Sequence, residues 1–336
     1  MATLGIGLIG CGLWGRRLAG IVERLDGAEV VAAFDADART TREFATPRAI
    51  VAHETRRALL EDPRVDAVLV VVPHSLHEEV VVGAAKAGKH AFCEKPLAID
   101  VAQCRRMIAA VERHGVKLMC GHVTRLYPIW ARAAHMVHGG RVGRLSAVSI
   151  ANMKHIDRTR WWARSETMGA LLHSPAVHFI DYLLFVCGTP AAVHAVETRV
   201  RVQPGVDYQD SVFLHIEFEN GAIGAIQASV SCLTPATHCQ VIGDRGSLRF
   251  DPDESVIEFA SWDGERERIE IGPNDPAARE DIGIRAELES FVAWVQHGTE
   301  PVLTASEGLR AVEIIEAAYR SIEERGRIAL PLADRS

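Results

Sequence analysis

The feature that most limits how this chain folds is Gly10-Cys11-Gly12-Leu13-Trp14-Gly15. It lies between an apolar run at residues 4–9 and a helically spaced stretch at 13–25. Alone, G-x-G-x-x-G is a frequent chance match; between a strand and a helix, each glycine has its own duty. Gly10 permits a tight turn, Gly12 lets backbone approach a pyrophosphate, and Gly15 allows close packing of helix on strand. Leu13 and Trp14 complete the turn. Asp35 closes a second apolar run at 29–34, 20 residues after Gly15, where a carboxylate accepts adenosine ribose hydroxyls. The pattern reads as an NAD site, against the competing reading of a tight turn with no ligand. A 2′-phosphate would meet Asp35 and Asp37, which favours NAD over NADP. Arg39 and Arg42 leave NADP open, or are solvated charges on a surface helix.

Residues 65–72 (VDAVLVVV) are apolar without alternation, as in a strand covered on both faces. Helical spacing over 76–87 stops at Gly88. A strand at 90–93, a helix at 101–114 and a strand at 116–120 follow. This β-α order predicts a doubly wound parallel sheet in a dinucleotide-binding domain over residues 1–121. The rhythm then changes: 145–153, 192–202, 211–219, 222–231, 239–242 and 247–250 read as strands, with Glu219-Asn220-Gly221 as a hairpin signal. Helical spacing returns at 286–296 and 306–324. The chain is therefore expected to be α/β in fold class, its second domain (122–336) being α+β with a mostly antiparallel sheet. The last segment is free to pack back on the first domain.

Composition narrows the function classes. The length of 336 residues suits two domains, and 37 Lys and Arg against 44 Asp and Glu give a net charge of −7. No basic excess points to nucleic acid, and no apolar stretch reaches the ~18 residues of a membrane span. The seven cysteines are scattered without a C-x-x-C pair, as reduced thiols would be. Arg16 and Arg17 follow the first apolar run instead of preceding it, unlike a signal peptide, so a cytoplasmic location is expected. The histidines lack an i, i+4 pair and Cys120/His122 lacks a second pair, so no metal is expected. The expected partner is a small molecule.

Glu94-Lys95-Pro96 follows the strand at 90–93, at the carboxyl edge where open α/β sheets bind ligands. Lys95 there donates to a substrate oxygen near the nicotinamide, or is a surface lysine beside a turn proline. Taken with Pro73-His74-Ser75-Leu76-His77, Ala87-Gly88-Lys89-His90, Gly121-His122-Val123-Thr124-Arg125, Gly169-Ala170-Leu171-Leu172, His178-Phe179-Ile180-Asp181 and Gly308-Leu309-Arg310-Ala311, it resembles the Gfo/Idh/MocA oxidoreductases over nearly the whole chain. The resemblance implies a Rossmann domain followed by a domain with a large open sheet, whose face brings copies together as a homodimer or homotetramer. It implies nicotinamide-dependent oxidation or reduction of a sugar, cyclic polyol or related diol. It also places Pro73, His74, His77, Glu94 and Lys95 beside the cofactor, with His77 structural.

Residue by residue, the resemblance makes Lys95 the substrate-contacting lysine and His178 the group that exchanges the hydroxyl proton. Imidazole suits that role, since it titrates near working pH. The family often has Asp one helical turn before this histidine; here Ser174 stands there, with His173 and Asp181 as substitutes. Asp181 reads equally as a structural hydrogen-bonding group. Residues 154–164 hold four Lys or Arg against one acid, so Arg158, Arg160 and Arg164, with Trp162, form a candidate anion-binding loop. The alternative is a solvated or subunit-facing loop, and Arg125 and Tyr127 add either to the pocket or to packing. Two further readings follow: a dehydrogenase of a carboxylated cyclic diol or hemiacetal, and a non-catalytic NAD-binding sensor.

Overall fold

The computed structural model describes residues 3–333 apart from Asp157, Arg201, Val202 and Asn274. It divides into two compact units. One comprises the chain up to His122 together with Ile284–Leu309; the other comprises Val123–Gly283 and the chain from Arg310.

The first unit opens with β1 (Leu4–Ile9), α1 (Leu13–Val22), β2 (Ala28–Phe34), α2 (Ala38–Ala45), β3 (Val51–Ala52) and α3 (Arg56–Glu61). It continues with β4 (Ala67–Val70), α4 (His77–Lys86), β5 (His90–Glu94), α5 (Val101–His114) and β6 (Leu118–Gly121). Every residue of β1 and β4 is buried, as strands covered on both faces must be. The six strands pair in parallel in the order β3-β2-β1-β4-β5-β6. That is the Rossmann order, and it reverses between β1 and β4, so a ligand crevice lies at their carboxyl ends. Residues 38–61 gave no readable period because α2, β3 and α3 hold only eight, two and six residues. Gly88 ends α4 as expected: it takes φ +72°, and the N–H groups of Gly88 and Lys89 donate to the carbonyls of Ala85 and Ala84.

The second stretch of chain forms α6 (Pro128–His138), β7 (Leu145–His155), α7 (Ser165–Met168), α8 (Val177–Cys187), β8 (Pro190–Thr198) and β9 (Ser211–Phe218). Then come β10 (Ile223–Ser229), β11 (Ser231–Gly243), β12 (Gly246–Asp251), β13 (Val256–Ser261) and β14 (Arg266–Glu270). The chain ends with α9 (Pro276–His297), α10 (Ala305–Glu324) and β15 (Ile328–Ala329). Nine strands order as β14-β13-β12-β11-β7-β10-β9-β8-β15. All pairs are antiparallel except β10 on β7. The Asn-Gly signal closes the β9–β10 hairpin, with Gly221 at φ +84°. The strand expected at 192–202 is β8, which stops at Thr198; Arg201 and Val202 lie outside the described residues. The strand expected at 239–242 is the end of the 13-residue β11. Pro235 hid its first half, since proline cannot donate to a ladder; pairing with β7 is irregular between Ser231 and Ala236.

Alternate residues of β9 are buried, so its sheet has one covered and one exposed face. Helix α8 packs on β7 and β10 on the covered face. Trp130 meets the rings of Tyr182 and Phe250 edge-on at 4.7 and 4.8 Å, and the buried Tyr182 hydroxyl donates to Trp130 O at 3.0 Å. Among the described residues, no single helix is long and apolar enough to cross a membrane.

Candidate active site

The glycine turn has the shape a dinucleotide needs. Gly10 sits at φ +103°, where an added Cβ would fall 2.0 Å from Val71 O, so glycine is required for conformation and for space. A Cβ on Gly15 would lie 2.0 Å from Gly10 O, so helix and turn touch there. A Cβ on Gly12 meets nothing within 4 Å, which leaves that side of the turn open for a pyrophosphate. Gly12 caps α1 without a side-chain partner, so the first helical N–H groups are available to an anion. The Asp35 carboxylate is held by the N–H groups of Cys11 (2.8 Å) and Asp37 (3.0 Å), and its remaining lone pairs suit ribose hydroxyls. Asp37 caps α2, and Arg39 pairs with Glu43 on the surface. These residues fit NAD.

The carboxyl ends of β4 and β5 are joined by His77. This buried ring lies with Nδ1 2.9 Å from Pro96 O and Nε2 3.1 Å from Val72 O, and burial pushes its pKa down. A neutral imidazole donates to only one of these carbonyls. His74, also buried, stands 5.5 Å from the His77 ring in the short turn that begins after Pro73. Beside them, Glu94 is 7 % exposed and accepts from Trp14 Nε1 at 2.6 Å and from Lys95 N at 3.2 Å. Burial raises the Glu94 pKa and lowers that of Lys95, while each charge partly supports the other. Nothing in the sequence pattern links Trp14 to Glu94, which are 80 residues apart.

In the second unit, His178 is the second residue of α8 and is half-buried. Ser174 precedes the helix in extended backbone (φ −167°, ψ 123°), and its bond to Pro175 is cis. The expected helical-turn relation between Ser174 and His178 is therefore absent, because α8 begins only at Val177. Buried His173 accepts from Ala170 N at Nδ1 (3.0 Å), which places a neutral ring's proton on Nε2. Its ring stacks on Tyr319 with centroids 6.0 Å apart. The Tyr319 hydroxyl accepts from Leu172 N (3.1 Å) and Gln209 Nε2 (2.7 Å). Neither Tyr319 nor Gln209 carries a sequence signal, since the contacts that matter lie 147 and 110 residues away along the chain.

The charged candidates separate. Arg125 and Asp181, 5 % and 1 % exposed, form a two-pronged ion pair, with Arg125 Nε 3.0 Å from Asp181 Oδ2 and its guanidinium over the Phe185 ring. Arg158 is buried, donating to Gln203 Oε1 (3.3 Å) and Gln209 O (3.1 Å) over the Tyr208 ring. Arg164 stands 3.5 Å from Asp207, and Arg160 is exposed at φ +56°. Trp162 is half-buried against Trp161, and its carbonyl accepts from the Tyr208 hydroxyl at 2.5 Å. Tyr127 packs at Gly283, where an added Cβ would lie 2.5 Å from its ring. Among the described residues, no group of three His, Cys, Asp or Glu could hold a metal ion.

The pattern of an oxidoreductase family with an NAD-binding Rossmann fold matches residues 4–122, and that of the same family's C-terminal alpha/beta domain matches residues 134–330. Inositol 2-dehydrogenase 2 of Saccharopolyspora erythraea is 28 % identical over 329 residues, covering 95 % of this chain and 93 % of that protein. D-apiose dehydrogenase of Paraburkholderia graminis is 27 % identical over 341 residues, covering 96 % and 88 %. The crystal structure of aldose-aldose oxidoreductase from Caulobacter crescentus, complexed with glycerol, superposes with a TM-score of 0.88 at 26 % identity, covering 98 % and 100 %. The glycine turn, the Rossmann strand order and both matched domains agree: the chain belongs to the Gfo/Idh/MocA family of oxidoreductases, with NAD as the cofactor of its Rossmann domain.

Proposed function

We propose that the chain is an NAD-dependent dehydrogenase that interconverts a secondary alcohol and ketone of a cyclic polyol or sugar derivative. The observation that carries this reading is the placement of Lys95 directly after β5, at the carboxyl edge of the parallel sheet and beside buried Glu94. NAD, when bound, supplies the hydride acceptor or donor. The open side of Gly12 and the N-terminus of α1 hold its pyrophosphate, and Asp35 takes the adenosine ribose. Lys95 donates a hydrogen bond to the reacting oxygen from Nζ, stabilising negative charge that develops there. His178 exchanges the hydroxyl proton at Nε2, the ring atom opposite its buried Nδ1. The relatives named for inositol and aldose chemistry support the substrate class.

A neutral polyol or sugar is favoured over an anion because Arg158 and Arg164 already serve internal partners. The exposed sheet face, with Val196, Phe213 and Ile223 at 54 %, 41 % and 50 % exposure, is the surface we assign to self-association as a homodimer or homotetramer.

The test is nicotinamide absorbance across inositols, aldoses, sugar acids and carboxylated cyclic diols, each with NAD and NADP. Turnover on a neutral polyol or sugar, falling by about 10²-fold or more in Lys95→Ala and His178→Ala while NADH still binds, is expected. Wild-type-like rates in either variant remove that residue from the mechanism. Turnover confined to carboxylated substrates overturns the substrate class, and NADH binding without turnover on any of them would favour a sensor.

A further inference from the structure

We propose that Trp14 is a positioning residue for Lys95: its indole N–H, donated to Glu94 Oε1 at 2.6 Å, ties the glycine turn to the strand end that carries the lysine. The inference deepens the reading of Lys95 given above and rests on it for its catalytic meaning. Trp14 occupies the last variable position of G-x-G-x-x-G, where the turn itself requires only backbone. A large aromatic there is explained by what it reaches. The indole N–H is a donor with no acceptor capacity, so it serves a carboxylate better than a carboxylic acid. The other Glu94 oxygen accepts from Lys95 N, so both oxygens of this buried acid are engaged by groups that favour its charged form. Arg17 lies over the Trp14 ring with Cζ 5.2 Å from its centroid, a cation on the face of the indole.

The chain of contacts is therefore Arg17, Trp14, Glu94, Lys95. The other titratable groups near it are Cys93 on the same strand, whose thiol burial and then Glu94 push up, Cys120 on β6 and His77 on α4. If Glu94 takes a proton, Lys95 loses the charge that supports its ammonium, and the tie of the strand end to the turn weakens from a charge-assisted to a neutral hydrogen bond. Burial already raises the Glu94 pKa; Trp14 opposes that rise. Removing the indole N–H must raise it further.

The experiment compares wild type, Trp14→Phe and Glu94→Gln. Phenylalanine keeps a ring for Arg17 and loses only the donor. The chain has five lysines, so reductive ¹³C-methylation gives few resonances, and Lys95→Arg assigns the one of interest. In the cofactor-free protein, the Lys95 methyl resonance should show an acid-side inflection from Glu94. It should move up by about one pH unit in Trp14→Phe, the scale of one charge-assisted hydrogen bond, and vanish in Glu94→Gln. An inflection that is the same in Trp14→Phe and wild type overturns the proposal. The acid limb of kcat/KM should shift with the resonance. A resonance that moves while the limb stays still supports the Trp14 contact and refutes Lys95 as the substrate-contacting group.

Discussion

Each of the two units contains a buried acid, and the two are held differently. Asp181, in the second, faces Arg125 in a two-pronged pair, so each charge is neutralised by the other. Glu94, in the first, accepts from a neutral indole and a backbone N–H, and burial pushes it towards protonation. Both acids lie within motifs that the family resemblance singles out. The difference teaches that a buried acid facing a full cation has its charge held by its partner, while one held by an indole and a backbone N–H stays sensitive to its burial.

That comparison breaks most readily at the ion pair. Arg125→Met or Asp181→Leu alone should cost about 3–5 kcal/mol, because each leaves a buried charge without its partner, and the double variant should recover much of that loss. Denaturant midpoints of the four proteins measure it. A double variant that is stable and still turns over would confirm Asp181 as structural; one that is stable and inactive would return it to the reaction.

The arginine loop sharpens the same contrast at smaller scale. Arg158→Ala should destabilise by about 2 kcal/mol, since it strips hydrogen bonds from Gln203 and Gln209. Exposed Arg160→Ala should change stability by less than about 0.5 kcal/mol. A raised KM for carboxylated substrates alone in Arg160→Ala would show that this loop reads an anion after all.

The smallest expected effect lies at the cofactor end. Asp35→Ala should weaken NAD about tenfold, or ~1.4 kcal/mol, and improve NADP relative to it, measured by fluorescence titration of both reduced cofactors. An unchanged ratio would move the discrimination to Asp37 or to the arginines of α2.

Much of the first unit was legible because its signals are local. Buried strands, a glycine turn and Gly88 each announce themselves within a few residues. Where an element was very short, as with β3, or interrupted by proline, as with β11, the period was hidden. The helical turn expected between Ser174 and His178 failed for a related reason: four-residue spacing describes a turn only where the chain is helical, and α8 starts three residues after Ser174. Motif resemblance carried Lys95 and His178 forward as candidates, but it could not say which neighbouring charges hold them.

The sequence by itself determined the β-α rhythm, the glycine cradle with Asp35, and the change to a second domain rich in strands. Those follow from side-chain periodicity and backbone freedom, which act between near neighbours. Only the tertiary structure decided that Trp14 meets Glu94 across 80 residues and that Arg125 closes on Asp181 across 56. It also decided that β7 lies between β11 and β10. Burial forces each polar group to find a partner within hydrogen-bond reach, and which partner arrives is set by the packing of distant segments.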